Sequence, residues 1–423
     1  MGDSNSRWPA PASMPAAMPE RGPEHGAQHE AENRNADERL SVIRHEIDAV
    51  DQELLDLFNR RAALSREVGR IKAGAPGIIF RPVREKEVLD SLAARNPGPL
   101  PEDHLRAIWR EIFSSSRALQ RPQNVAYLGP EGTFSYFAGL EYLGHAATFH
   151  PCNDIAQVFE EVASGQCELG VVPLENSLQG TVGVSFDLFL KHEVFIQAEL
   201  FSRISHCLLS NAPSLAAVRT VYSHPQPLAQ CGTWLRTHLP NAGLVPVEST
   251  AAAAQRAAQG PDQAHTAAIG HGKLADLMGL GTLAGRIEDE PGNWTRFVII
   301  GPKASAVQGG KMQNPQPGHG GADKTSLLFT LPDKAGALSR VLDLLAGHGI
   351  NMRKLESRPL RGQCWKYVFF ADVESDLEDP RHADLRVQLG HACTGFRILG
   401  SYPTGPQLDR LDLHTDEPEQ MES

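Results

Sequence analysis

The sequence predicts a multidomain protein of three unlike parts. These are an all-α segment over residues 39–122, an α/β region of two lobes over 123–302, and an α+β module in ferredoxin-like order over 325–405. Three observations predict this. Apolar residues recur at helical spacing in the first part. Short apolar runs alternate with helical stretches in the second. The third reads strand, helix, strand, strand, helix, strand.

In the all-α segment the stripe Leu40, Ile43, Ile47, Val50, Leu54, Leu57/Phe58, Leu64, Val68 and Ile71 marks one long amphipathic helix starting near Leu40. AGAPG at 73–77 breaks it. A second helix follows Arg81-Pro82, and Asn96-Pro97-Gly98-Pro99 stops it before a third, PEDHLRAIWREIFSSSRALQ. Three helices with one very long member close poorly as a monomer, which points to a partner chain.

From Asn124 the strand candidates are VAYLG, LGVVPLE, SHCLLS, TVYS, LVPVES, TAAIG and FVIIG, with helices such as DIAQVFEEVAS and AAAAQRAAQ between them. A length of about 180 residues, with a midpoint near 200, fits two lobes and a cleft. Residues 303–324 form a Gly/Pro/Gln linker. The module beyond carries TSLLFTL, GALSRVLDLLAGHG, NMRKLESRP, KYVFFADV, PRHADLRVQLG and GFRILGSY. Residues 1–38, rich in Pro, Ala and Glu, are expected to be disordered, and the acidic tail over 406–423 loose.

The chain has 423 residues, 41% of them hydrophobic, and a net charge of −11. That balance argues against general nucleic-acid binding, which needs Lys and Arg against phosphates. Six scattered cysteines without metal-ligand spacing read as reduced thiols, and no metal site is expected. No run of about 18 apolar residues and no secretory h-region exist, so no membrane association and a cytoplasmic location are expected.

Cations interrupt the first helix. Arg61 and Lys72 are eleven residues apart, about 20° in azimuth and roughly 16 Å along the axis, so together they can bracket a small dianion. Arg44 lies roughly 25 Å from Arg61 and points about 100° away, so it can join such a site only from another helix, most simply that of a second subunit. The plainer alternative is cations that snorkel at the edge of the stripe. Arg84-Glu85 opens the second helix without an apolar reason, and Ser116 and Gln120 share a face of the third.

In these features the segment from IRHEIDAVDQELLDLFNRRAALSREVGRIK through PVRE to SSSRALQ resembles the all-helical chorismate mutase family. The resemblance implies an interlocked helical dimer, with Arg44 donated across it. Arg44 and Arg61 would hold the two carboxylates of chorismate, Lys72 and Gln120 the ether oxygen, and Glu85 the ring hydroxyl, with Arg84 and Ser116 completing the set. Arg81 stands where some members carry an acidic residue. A pericyclic rearrangement needs no nucleophile, base or cofactor, only a held conformer and a stabilised developing charge.

In the α/β region four polar clusters sit at strand ends: Glu175-Asn176-Ser177 with Thr181, Ser223-His224 with Gln230, Glu248-Ser249-Thr250, and Asn293-Trp294-Thr295-Arg296. Ligands of open α/β sheets bind at such ends. Each also has a bland reading: Ser249 or Thr250 as a helix cap, the others as a turn or a strand entry. Taken together, LGPEGTFS, VVPLENSLQGTV, VYSHPQPLAQC and NWTRFVII resemble the prephenate dehydratase family. That implies a fold similar to periplasmic binding proteins, with the site in the cleft. Thr295 would donate to the departing hydroxyl. Glu175, Asn176, Thr181, Ser223 and Gln230 would position prephenate, and Arg296 would neutralise a carboxylate.

The last module resembles the ACT regulatory domain. Gly336, Ala337 and Leu338 at a helix start, with Glu356, Ser357, Arg358 and Pro359 ending a strand, are the implied phenylalanine-binding signatures. L-phenylalanine as inhibitor and a homodimer or higher homo-oligomer follow from the resemblance. Two rivals remain at this point: a dehydratase acting on arogenate, and a small-molecule sensor in which the helices serve only dimerisation.

Overall fold

The computed structural model describes residues 23–73, 79–303, 322–360 and 366–408, with side chains from residue 36 onward. The expected break at 74–77, most of the linker, Cys364, the first 22 residues and the tail from 409 lie outside the described residues. The described chain forms two compact units, one ending at Leu64 and one beginning at Ser65.

The first helix, α1 (Pro23–Ile71), starts earlier than expected and takes in residues expected to be disordered. Pro23 suits the first helical position, and Ala, Glu and Gln in HGAQHEAENRNADE are good helix formers despite their polarity. Helices α2 (Pro82–Ala94) and α3 (Glu102–Gln120) follow as the sequence indicates, α2 opening on a proline at its first turn. Along α1 the apolar stripe is solvent-exposed: Leu40, Ile43, Ile47, Val50, Leu54, Leu57 and Leu64 all show 42–58% of their surface.

The α/β region builds two sheets. The first lobe uses β1 (Asn124–Leu128), α4 (Phe134–Leu143), β2 (Thr148–Cys152), α5 (Ile155–Ala163), β3 (Leu169–Asn176), β4 (Gly180–Thr181), α6 (Gly183–Lys191) and β5 (Phe195–Arg203). The second lobe adds β6 (Cys207–Ser210), β7 (Thr220–Ser223), α7 (Pro225–Gln230), α8 (Gly232–His238), β8 (Gly243–Pro246), α9 (Thr250–Gln259), β9 (Thr266–Gly270), α10 (Leu274–Met278) and β10 (Gly281–Ala284). Strand β11 (Trp294–Gly301) then returns to the first sheet, between β3 and β5.

The lobes are therefore joined twice, after β5 and before β11. The two crossings are tied together: the Ile204 amide donates to the Asn293 carbonyl at 2.8 Å, and the Ile287 amide to the His206 carbonyl at 3.0 Å. Every expected strand is present. Four others in this region, β2, β4, β5 and β10, were not expected. Strand β5 was hidden by Gln197 and Glu199, polar residues buried in the middle of the sheet.

The carboxy-terminal module runs β12 (Lys324–Thr330), α11 (Ala337–Gly347), β13 (Met352–Pro359), β14 (Tyr367–Val373), α12 (Ala383–Ala392) and β15 (Gly395–Tyr402). Its sheet order is β13-β14-β12-β15, all antiparallel, in the predicted ferredoxin-like arrangement. Part of the expected loose tail instead forms β16 (Gln407–Leu408), a parallel edge on β5. The five described cysteines form no disulfide with one another.

Candidate active sites and the effector strand

The β3–β11 ladder organises the dehydratase-like site. Its antiparallel register sets Thr295 opposite Asn176 and Arg296 opposite Glu175. Successive side chains on a strand point to opposite faces, so each neighbouring pair divides between two faces.

On one face, the Asn176 amide nitrogen donates to Asn293 Oδ1 at 2.6 Å, to Thr295 Oγ1 at 3.0 Å and to the Trp294 carbonyl at 3.3 Å. Asn176 Oδ1 is itself fixed by the amides of Leu178 and Gln179. A hydroxyl has one donor and two acceptor positions. Asn176 fills an acceptor position of Thr295, and among the described residues nothing takes the Thr295 proton, which leaves it for a ligand. Gly180, with φ of +77°, makes the tight return into β4 that brings Gln179 out to meet Gln226 of the second lobe at 2.9 Å.

The other face holds residues expected to touch substrate, and there the structure corrects the sequence reading. Arg296 is 5% exposed. It donates to Glu199 at 2.7 Å, Asp372 at 2.5 Å and Tyr402 at 3.0 Å, and Lys324 also reaches Glu199 at 2.8 Å. Burial opposes its charge, but Tyr402, Asp372 and Glu199 outweigh that and raise its pKa above the ordinary value. A guanidinium committed to two buried carboxylates has no fork left for a substrate. Glu175 likewise points to this face and pairs with Lys354 at 2.7 Å, and Thr181 donates to Glu356.

In the second lobe, Ser223 is fully buried and donates to the Ile269 carbonyl at 2.8 Å, so its hydroxyl supports the sheet instead of a ligand. The Gln230 amide oxygen meets His206 Nε2 at 2.8 Å. Ser249 caps α9 by accepting from the Ala252 amide, the bland reading of that cluster. Sequence reading missed an aromatic nest: Phe134 lies edge-on to His206 and His271, and Phe137 stacks on His271 with centroids 4.5 Å apart. Burial holds both histidines below their ordinary pKa, His271 at about 3.

In the helical region, Arg44 and Arg61 lie on α1 in the first unit. In the second unit, Glu85 pairs with Arg117, which is buried and also donates to the Leu143 carbonyl. Gln120 donates its side-chain amide to the Ser116 carbonyl at 3.1 Å. A Cβ added at Gly69 would lie 2.9 Å from the Gln120 Cα, so glycine permits close packing of the last turn of α1 on the end of α3. This glycine is a signal that periodicity alone did not flag. Lys72 follows that turn, and partial burial, then the Arg81 cation, lowers its pKa. Arg84 forms an exposed 3.0 Å pair with Glu87.

In the carboxy-terminal module, Gly336 adopts φ of +75° and caps α11 without a side-chain bond, and the Ala337 amide donates to the Lys334 carbonyl at 3.1 Å. The strand signature divides by face. Lys354, Glu356 and Arg358 turn inward, whereas Arg353, Leu355, Ser357 and Pro359 are exposed. Arg358 Nε lies 3.8 Å from Asp187 Oδ1, so two residues of the signature are engaged by the α/β region.

Family models match all three regions: chorismate mutase type II over residues 43–121, prephenate dehydratase over 125–305 and the ACT domain over 325–390. A bifunctional chorismate mutase/prephenate dehydratase of Stutzerimonas stutzeri is 40% identical over 86% of this chain and 98% of its own length. The crystal structure of prephenate dehydratase from Arthrobacter aurescens in complex with L-Phe is 33% identical, with a TM-score of 0.56 over 66% of this chain and 90% of that one. GqqA, described as a novel type of quorum quenching acylase, is 31% identical, with a TM-score of 0.57 over 67% of this chain and 98% of that one. With relatives of this identity spanning all three regions, the chain belongs to the bifunctional chorismate mutase/prephenate dehydratase family.

Proposed function

We propose that this chain converts chorismate to prephenate in its helical segment and prephenate to phenylpyruvate in the α/β cleft, under inhibition by L-phenylalanine. Segment boundaries are proposed at 39–122, 123–302 and 325–405. The observation that carries the dehydratase reading is the Asn176–Thr295 pair, whose geometry leaves a hydroxyl proton for a ligand. In the reaction the ring carboxylate leaves as carbon dioxide and its bonding electrons enter the ring. The ring hydroxyl departs with a proton as water, and aromatisation drives the step. Thr295 donates to the departing oxygen. Threonine is too weak an acid to be the final proton source, so water relays the proton through it. Asn176 orients Thr295, and Gln230 with His206 lines the second lobe. Glu175, Thr181, Ser223 and Arg296 support the site without touching substrate.

For the mutase, Arg61, Lys72, Arg84, Glu85, Ser116 and Gln120 form the site, with Arg44 donated by a second copy. The exposed stripe of α1 supports this, since apolar surface of that extent is ordinarily covered. Opening of the Glu85–Arg117 pair accompanies binding of the ring hydroxyl. Effector binding uses the start of α11 at Gly336, Ala337 and Leu338, which no side chain caps, with the outward residues Ser357 and Pro359. A cytoplasmic location fits a route between soluble metabolites. Among the described residues no helix is long and apolar enough to cross a membrane.

The test is incubation of the full chain with chorismate, following prephenate and phenylpyruvate with and without phenylalanine. Phenylpyruvate that forms, and slows on adding phenylalanine, is expected. Prephenate accumulating alone would sink the dehydratase reading and make arogenate the next substrate to try. Unchanged chorismate would sink the mutase reading.

A further inference from the structure

Lys354 has no role in the reading above, yet it stands at the centre of a contact between two regions. It lies on the inward face of β13, two residues before Glu356, and its side chain is 14% exposed. Its ammonium is 2.7 Å from Glu175, 3.5 Å from Glu356 and 3.5 Å from Thr181 Oγ1. Thr181 donates to Glu356 as well. Glu175 and Thr181 are themselves partners across the β3–β4 turn, and the other carboxylate oxygen of Glu175 lies 4.0 Å from Arg296. Every one of these groups sits on the ladder face opposite the Asn176–Thr295 pair.

We infer that Lys354 is a positioning residue for the dehydration, and that it couples the effector strand to the reacting pair. The Lys354 ammonium fixes Glu175 and the β3–β4 turn, and the turn carries Leu178 and Gln179, whose amides donate to Asn176 Oδ1. Asn176 in turn orients the Thr295 hydroxyl. Removing the ammonium leaves Glu175 beside Glu356 without the cation between them, a like-charge contact that pushes the turn away from β13. The strand that carries Ser357 and Pro359 outward is the same rigid element, so a ligand that shifts it moves Lys354 too. A contiguous chain of packed and hydrogen-bonded groups is one physical route by which two sites are coupled. This inference rests on the dehydratase reading.

The test compares Lys354→Met, Lys354→Arg, Glu175→Gln and the Lys354→Met/Glu175→Gln double variant in the full chain. Each is assayed for prephenate dehydration, for chorismate rearrangement as an internal control, and for inhibition by phenylalanine. For Lys354→Met, kcat for dehydration is expected to fall about tenfold to hundredfold with KM changed less than about twofold, a loss of orientation and not of binding. Rearrangement should be unchanged, and Lys354→Arg should recover most of the loss. The double variant should be no worse than the poorer single one, as for residues acting in one unit. Half-inhibition by phenylalanine should need at least about fivefold more ligand.

An unchanged kcat, additive losses in the double variant, or parallel loss of both activities with a lower melting temperature would each overturn the proposal. Glu175→Gln keeps the side-chain shape, so it decides the matter if Lys354→Met fails to fold. A wild-type chain inactive on prephenate would end both the reading and the coupling. An active wild type with an unresponsive Lys354→Met would end only the coupling.

Discussion

The apolar face of α1 and the β3–β11 ladder carry the same ingredients, arginines set among apolar residues, and reach opposite ends. In the ladder the arginine is finished within the chain: Arg296 is 5% exposed and sits between Glu199 and Asp372. Along α1 the stripe beside Arg44 and Arg61 remains open, with Ile47 showing 53% of its surface. A buried charge must be paired, so a closed region reveals its partners. An apolar face of this length left exposed among the described residues is of the kind that a partner ordinarily covers. Burial of its surroundings thus marks Arg296 as structural, whereas the substrate role of Arg44 and Arg61 belongs to the proposed mutase reading.

The largest expected effect breaks the closed side. Arg296→Met leaves two almost fully buried carboxylates, Glu199 and Asp372, to share the Lys324 cation. Breaking one side of such a pair costs about 3–5 kcal/mol. Urea unfolding should show that loss, and a cost below about 1 kcal/mol would mean that the cluster is solvated in solution. Next comes the opposite face of the same ladder. Thr295→Val should lower kcat for dehydration about 10²-fold or more with unchanged stability, and Thr295→Ser should retain most of it. Equal stability losses for Arg296→Met and Thr295→Val would erase the distinction between the faces.

Much of this organisation was legible in the sequence. Helical periodicity placed α2 and α3, strand-end clusters located the ladder, and the βαββαβ order emerged from alternating apolar runs. What failed was the assignment of faces. Glu175, Asn176, Thr295 and Arg296 were all expected at substrate, because a polar cluster at a strand end does not state which of its alternating members turn toward the cleft. Register decides that, and the register of β3 against β11 joins residues more than a hundred positions apart. The pairing of Glu356 and Lys354 with Thr181 and Glu175 was invisible for the same reason. Strand β5 was missed because the buried Glu199 that anchors Arg296 reads as a surface residue. The early start of α1 was missed because polarity was read as disorder, although Ala, Glu and Gln favour helix.

A smaller effect sharpens the comparison through pH. Burial keeps His271 neutral, with a pKa of about 3 against an ordinary 6.5. Below pH 6.5 the unfolded chain takes up a proton that the folded one refuses, so this contribution is intact above that pH and shrinks as pH falls toward 3. The slope is about 1.4 kcal/mol per pH unit for one such group. Urea unfolding at pH 7.5 and 5.5 should differ more for the wild type than for His271→Phe, which keeps the ring on Phe137 and removes the titration. Identical differences would place His271 in water.

The most direct test of the contrast between a closed and an open region is complementation in the mutase. Arg44→Ala and Arg61→Ala are each expected to lose chorismate rearrangement by about 10²-fold or more, with prephenate dehydration intact. Co-expressed in equal amounts, they are expected to form mixed dimers in which one site regains both arginines, so about a quarter of wild-type rearrangement should return. Activity no higher than that of either variant alone would place Arg44 in its own chain's site and contradict the account.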